Sequence, residues 1–479
     1  MAASTQTALR YSLFPAKVDR PMKDSPLSRS GPPKPRGLPW IGCLNALLRD
    51  PMAFFAPIAR RYGGIAHIPL KGGLSVYLVS EPSLIKELLV DNREAYQKNI
   101  RHGAMQRLIG DGLLLSEGET WRRERRATQP AFRLAEIDHQ LGWMTAAIEN
   151  FLDRWAPRAA DAKLVDIEPL FSELTQYLAG RLLFGPRYDA RAREILTLVE
   201  AIRANWPKPP RSVLASYLPR SKREAARLEA VAVLDAQLFE FIRLERAEPR
   251  PAESTLGQLI ENSREIGAPF TDKELRDQLA TLFFAGFETS AAAMTWTHYL
   301  LARNPDKRER VFVEVDEKFG AGIPMHAQLD ALTYVDQVFK EALRVHLPIH
   351  AFSRVALDEN TVGGYQLPRG CTVTVSAHAT HRLPEHWPDP EAFVPERFAA
   401  DANAARHAFA YIPFGAGPRQ CVGAQFAMLL GKLILALVAR RYVLDLASDT
   451  LVRIYSTTVS RPDGGMFMRI CRRPADVRS

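Results

Sequence analysis

Apolar residues at helical spacing dominate this chain, and short alternating runs are few. Pro51–Tyr62 reads as a helix. Gly64–Leu70 and Leu74–Val79 read as a β-hairpin, the second strand rich in β-branched and aromatic residues. Glu81-Pro82 opens a helix through Val90, with proline near the first turn, where its missing N–H is tolerated. Residues 92–112 are loop-rich. Residues 136–245 carry amphipathic helical patterns broken at Asn205–Pro210, and Arg246–Pro251 is a polar linker. Thr271-Asp-Lys-Glu274 fits a capping box, and the pattern then runs without proline to Asn304. At ~1.5 Å per residue this predicts a rod about 50 Å long, enough to cross a whole domain.

Two stretches break the pattern in chemically suggestive ways. Inside the long helix, Leu282-Phe-Phe-Ala-Gly-Phe-Glu-Thr-Ser290 places a glycine and a Glu-Thr step among aromatic residues. Glycine weakens a helix, and a buried glutamate needs a partner. Local rules fail in this way most often where function demands it. The bland alternative is a solvent-facing Glu-Thr step, against which stand Phe283, Phe284, Phe287 and Ala291–Ala293. The second stretch is Tyr411-Ile-Pro-Phe-Gly-Ala-Gly-Pro-Arg-Gln-Cys-Val-Gly-Ala-Gln425, followed by the apolar pattern Phe426–Val438. It reads as a glycine-rich loop that delivers Cys421 to the start of a helix, where the dipole and free N–H groups are expected to lower the thiol pKa. The bland alternative is a buried, inert cysteine.

The spacing Phe414-x-x-Gly417-x-Arg419-x-Cys421-x-Gly423 resembles the haem-binding loop of the cytochrome P450 family. Ala285, Gly286, Glu288 and Thr289 resemble the same family's oxygen-activating motif. The resemblance implies a mainly α fold with a small β-rich lobe and a long central helix over haem b. It makes Cys421 the axial ligand of the haem iron, with Phe414, Gly415 and Gly423 shaping the loop. It gives Gly286 the role of leaving room for dioxygen, Thr289 that of hydrogen-bonding it, and Glu288 that of relaying protons through water. Ala285 stands where some relatives carry a glutamate that ester-links to haem, so no such ester is expected.

Other positions follow from the same resemblance. Trp121 and Arg125 lie at i and i+4 and share a helix face; the family uses these positions, with Arg354 and Arg419, on the haem propionates, which suit planar, permanently charged arginine forks. Glu341 and Arg344, at i and i+3, together with Arg397, match a buried structural cluster that holds the cysteine loop. Leu108, Ile109, Phe283, Phe284, Phe287, Ile349, His350 and Ala351 are expected to line a substrate cavity. His378 and His381 read as structural.

Composition narrows the picture. The chain has 479 residues and 47% hydrophobic content, enough for a large core and, by length alone, for about three domains; the resemblance instead implies one domain over 37–479 behind a flexible tail, residues 1–36. No solenoid-type repeat is evident. The four cysteines are far apart, which suggests neither zinc site nor disulfide framework and fits a reducing compartment. The formal net charge is +9 without any nucleic-acid motif. No run of about 18 apolar residues precedes Gly37, so no transmembrane anchor is expected and a soluble, cytoplasmic, bacterial-style protein is. A faint transit-like composition in residues 1–18 leaves mitochondria as the alternative. The expected reaction is insertion of one atom of dioxygen into a C–H bond of a fatty acid, terpenoid or related hydrophobic product. Electrons would come from a ferredoxin or flavodoxin type partner with its reductase, docking on Arg122, Arg123 and Arg126. The rivals are a peroxide-using or rearranging haem-thiolate enzyme and a non-catalytic haem sensor.

Overall fold

The computed structural model describes residues 31–473, except 39, 41, 99–102, 134–135, 137–138, 162, 208–220, 251–252, 320–323, 325, 449–450 and 457. Most of the expected N-terminal tail lies outside the described residues. So do residues 208–210 of the expected helix break, and Pro251.

Five helices and one sheet position the site. Helix α1 is Gly118–Thr128, α2 is Ile167–Phe184, α3 is Asp272–Arg303, α4 is Thr333–Val345 and α5 is Ala424–Arg441. The expected rod is α3, and both halves of its capping box form: Thr271 accepts from the Glu274 N–H while Glu274 accepts from the Thr271 N–H. Along most of its length α3 is buried on every side, and Trp296 has no exposed surface at all. Such a helix must be apolar all round or partner its polar groups internally. Threonine does so here: Thr295 and Thr297 return their hydroxyls to the carbonyls four residues back, at 2.8 and 2.7 Å. Helices α2, α4 and α5 pack against α3. The α4–α5 contact depends on Gly431, because a Cβ there would sit 2.3 Å from the Phe339 ring.

The smaller lobe is a five-stranded sheet. Strands β1 (Ile65–Pro69) and β2 (Ser75–Val79) form the expected antiparallel hairpin, with Ile65 opposite Val79. Strands β3 (Tyr96–Lys98), β4 (Phe352–Ala356) and β5 (Thr372–Val375) complete the order β1-β2-β5-β4-β3, in which only β2 and β5 run parallel. The antiparallel β3–β4 register sets Lys98 opposite Arg354. A short strand β6, Ser460–Pro462, lies far along the chain and reaches back to the central helix.

Two local expectations change. The loop expected over 92–112 contains strand β3 and a short helix, Ala104–Ile109. The helix begun at Pro82 widens into a π turn over Glu87–Asp91. That turn meets the cysteine loop: a Cβ on Gly417 would come within 2.5 Å of the Leu89 carbonyl oxygen.

Candidate active site

The cysteine loop is closed by its own backbone. Cys421 N–H donates to the Phe414 carbonyl at 3.0 Å. Gly415 and Gly417 both take φ of 70°, the left-handed region that favours glycine. Cys421 then precedes α5 by three residues. The Gly423 amide and the Arg125 guanidinium both favour its thiolate, but burial outweighs them and pushes the thiol pKa up. The lowering expected from the helix start alone is therefore corrected: desolvation is the larger effect. Cys421 nevertheless has accessible surface. The thiol is therefore reachable at its surface while protein crowds it closely enough to desolvate it.

The central helix opens at one place. Phe283, Phe284 and Phe287 are buried at 1%, 9% and 0% exposure, while Ala285 and Gly286 between them are exposed. A Cβ on Gly286 would meet only Ala179, at an ordinary 3.9 Å, so protein packing does not demand glycine at this point. Thr289 donates to the Ala285 carbonyl at 2.8 Å and Ser290 to that of Gly286 at 2.7 Å. Back-bonding of this kind bends helices. Glu288 is half-buried and pairs with Arg461 of β6 at 2.9 Å. Arg461 also holds Glu168 at 2.9 Å, and Glu168 holds Arg203 at 2.8 Å. Burial drives the Glu288 carboxyl up to about 7, with Arg203 opposing and Glu168 reinforcing the rise. The direct Arg461 bridge favours the ionised form and opposes that rise.

Cations gather beside the cysteine loop. Arg419 lies 3.8 Å over the Trp121 ring, donates to the Ser116 carbonyl at 2.9 Å and pairs with Glu117. Lys98, half-buried on β3, donates its ammonium to the carbonyls of Leu113 and Leu114. Burial lowers its pKa to about 7, helped by Arg419 and Arg354. Burial likewise brings Arg419 down to about 10 and lowers Arg354. Arg125 joins them at the cysteine loop itself, where its guanidinium donates 2.7 Å to the Gln420 carbonyl.

The supporting cluster forms around two fully buried side chains. Arg344 and Glu341 make a bidentate pair at 2.7 and 2.8 Å. Arg397 stands 3.4 Å from Glu341, close enough to pair but not aligned to donate. Arg344 also donates to the carbonyls of His381, Pro390 and Ala392. The segment then enters the cysteine loop tied by Tyr411 to the Lys340 carbonyl and by Ile412 N–H to His381 Nε2, both at 2.9 Å. His378 contacts Arg382, and among the described residues no group of His, Cys, Asp and Glu could hold a bare metal ion.

Several expected pocket residues are corrected. Phe283 and Phe287 present no surface to a cleft; they belong to the main core, where Thr175 of α2 donates to the Phe287 carbonyl at 3.0 Å. Helical periodicity explains this, since positions 283 and 287 share one face and 285 and 289 another. Leu108 and Ile109 are also core residues, their carbonyls held by Arg276 and Thr281 of α3. Phe284 sits at the core edge. Ile349, His350 and Ala351 are half-buried, and His350 bonds Ser456 at 3.0 Å. Lys98, Glu117 and Arg461 were missed by sequence reasoning. Lys98 carries no local signal, and Arg461 is joined to Glu288 only across 173 positions.

The donor set fits one kind of group. A desolvated thiol on a rigid loop suits an iron atom, and Lys98, Arg354 and Arg419 outnumber their near acids Glu117 and Glu124, a shortfall of negative charge that carboxylates of a bound group would supply. The comparisons agree. The family profile "Cytochrome P450" matches residues 32–468. Protein LUTEIN DEFICIENT 5, chloroplastic, of Arabidopsis thaliana is 31% identical, over 91% of this chain and 77% of its own. Cyclooctatin synthase of Streptomyces melanosporofaciens is 30% identical, over 88% and 91% respectively. The retinoic acid bound cyanobacterial CYP120A1 structure superposes with a TM-score of 0.81 at 26% identity, covering 93% of this chain and all of that one. The chain belongs to the cytochrome P450 family, has that family's mostly helical fold with small sheets, and takes its defining cofactor, haem b.

Proposed function

We propose that this monooxygenase hydroxylates a terpenoid or similarly extended apolar substrate, with Cys421 as the thiolate ligand of the haem iron. Two kinds of relative support the substrate class: cyclooctatin synthase and cyclooctat-9-en-7-ol 5-monooxygenase from Streptomyces melanosporofaciens, and the neighbour solved with retinoic acid. A fatty acid is the second reading. The observation that carries the catalytic assignment is the single opening in α3, where Ala285 and Gly286 are exposed next to Thr289 and the Arg461-held Glu288.

When bound, haem supplies the oxygen chemistry. Lys98, Arg354 and Arg419 neutralise its carboxylates, and the Trp121 ring backs Arg419. Cys421 presents sulfur from a loop that its own amide and two left-handed glycines hold rigid. Gly286 keeps the α3 side open. The Thr289 hydroxyl, whose Oγ1 lies 2.8 Å from the Ala285 carbonyl oxygen, donates there and can redirect its proton into the cleft. Glu288, its carboxyl raised by burial and held by Arg461, exchanges protons with water. Electrons come from a separate redox protein of ferredoxin or flavodoxin type. Arg122 and Arg126 are exposed for such docking, whereas Arg123 turns inward to Glu274 and lies over Phe270; Arg123 is therefore withdrawn from the docking surface. No described helix is long and apolar enough to cross a membrane.

A reduced carbon-monoxide difference spectrum tests the ligand. Wild type is expected to show a thiolate-type Soret band, and Cys421→Ala to lack it; a retained band refutes the assignment. Titration of the ferric protein with terpenoids and fatty acids then ranks the two substrate classes by displacement of iron-bound water.

A further inference from the structure

The N-terminal corner of the sheet lobe presents bulky apolar side chains to solvent. Trp40 is 93% exposed, Leu38 60% and Leu74 63%. These are neighbouring turns. Leu38 and Gly42 exchange both backbone hydrogen bonds, at 3.0 and 2.9 Å, so that Trp40 stands at the tip. Gly42 bridges to Leu70, and Leu70 N–H donates to the Leu74 carbonyl at 2.7 Å. Trp40 has φ of 66°, a conformation disfavoured for a bulky residue. The turn thus holds an indole away from a core that has two other aromatic-lined clusters nearby.

Charge is concentrated in the same part of the chain. Residues 31–80 contain Lys34, Arg36, Arg49, Arg60, Arg61 and Lys71 against the single acid Asp50, a net of +5 from 6 − 1. Residues 1–30 add Arg10, Lys17, Arg20, Lys23 and Arg29 against Asp19 and Asp24, +3 from 5 − 2. The first 80 residues therefore carry +8 of the chain's +9, and the other 399 are almost neutral. Asp50 does not offset the corner, because its side chain caps the Pro51–Tyr62 helix, accepting from Ala53 N–H at 2.9 Å. Lys34, Arg36 and Lys71 are exposed beside the apolar turns.

We propose that this corner is a peripheral docking surface for an anionic lipid bilayer. Trp40, Leu38 and Leu74 would enter the interface, where tryptophan is favoured, and Lys34, Arg36 and Lys71 would meet the headgroups. A protein partner would need its own acidic, apolar counterpart; a bilayer supplies both layers at once. The attachment is reversible and independent of substrate identity.

Full-length haem-loaded protein is sedimented with phosphatidylcholine vesicles, with and without phosphatidylserine. Binding is expected with phosphatidylserine, to weaken with added salt, and to be slight on phosphatidylcholine alone. Trp40→Ser should weaken it about ten-fold or more, since an exposed side chain that is buried only on binding contributes on that scale. Leu38→Ser with Leu74→Ser should act similarly, and Lys34→Glu with Arg36→Glu should remove the preference for phosphatidylserine. The Soret spectrum and thermal midpoint of each variant should stay close to wild type, because these side chains are largely exposed. No sedimentation with either vesicle overturns the proposal. So does sedimentation that Trp40→Ser and the leucine pair leave unchanged, which would assign binding to the basic residues before residue 31.

Discussion

Replacing Arg344 with methionine tests whether the buried cluster holds the cysteine loop. Its guanidinium has no exposed surface and makes five hydrogen bonds: two to Glu341 and one each to the carbonyls of His381, Pro390 and Ala392. Methionine fills much of the space but leaves Glu341 charged and dry. Removing one member of a buried pair costs about 3–5 kcal/mol. The three carbonyls lose their donor as well, at ~1 kcal/mol or more each where water cannot reach. Glu341 keeps the Val394 N–H at 2.9 Å and the unaligned Arg397 at 3.4 Å, which offsets part of the loss. The net expectation is about 4–5 kcal/mol, a large share of the ~5–15 kcal/mol that folded proteins hold in reserve. Urea unfolding followed by circular dichroism measures it, and haem retained per chain reports on the loop. Glu341→Gln with Arg344→Met removes the stranded charge but not the stranded carbonyls, so it should recover roughly half of the loss. A single variant that loses less than about 1 kcal/mol, or a double variant no better than the single, would refute the reasoning.

Three further outcomes are expected. Gly417→Ala forces a side chain into φ of 70° and against the Leu89 carbonyl, so haem retention should fall sharply, whereas Gly63→Ala, at φ 82° with open space around it, should cost only ~1–2 kcal/mol by urea unfolding and leave haem in place. Burial brings His298 down to about 4 from an ordinary 6.5, so its contribution is complete above pH 6.5 and is lost as pH falls toward 4, by up to ~3 kcal/mol; His298→Leu should flatten that part of the stability profile, and an unchanged slope would count against it. Arg461→Gln should raise the apparent pKa of Glu288 and Glu168→Gln should lower it, read from the carboxyl infrared band; equal shifts of one sign would disprove the network.

What was legible in the sequence depended on how far each signal travels. The capping box of Thr271 and Glu274, the β1–β2 hairpin and the glycine-rich loop are written in consecutive residues, and each takes its expected local form. The Glu341–Arg344 pair was readable because one helical turn joins it. Arg461 with Glu288, and Lys98 with Arg354, meet only through tertiary folding, and neither stretch marks its partner. The pocket was misjudged at Phe283 and Phe287 because hydrophobicity alone does not separate a core face from a cleft face; the helical phase relative to Ala285 does. The thiol was misjudged because a helix start is visible in sequence and the depth of burial around Cys421 is not.

The capping box has a consequence beyond helix stability. Glu274 is tied to Thr271 and also to Arg123 of α1, which fixes the first turn of α3 against a neighbouring element. Gly286 lies 12 residues farther on, ~18 Å along the axis. The helix between them works as a ruler with an angular scale: one added or deleted residue would turn everything beyond it by ~100°. Deleting one residue would carry Phe287 to the open position of Gly286 and Thr289 to that of Glu288, with every side chain still chemically intact. Substitutions along this span change how well the ruler is supported, but only a change in its number of divisions can misplace the opening.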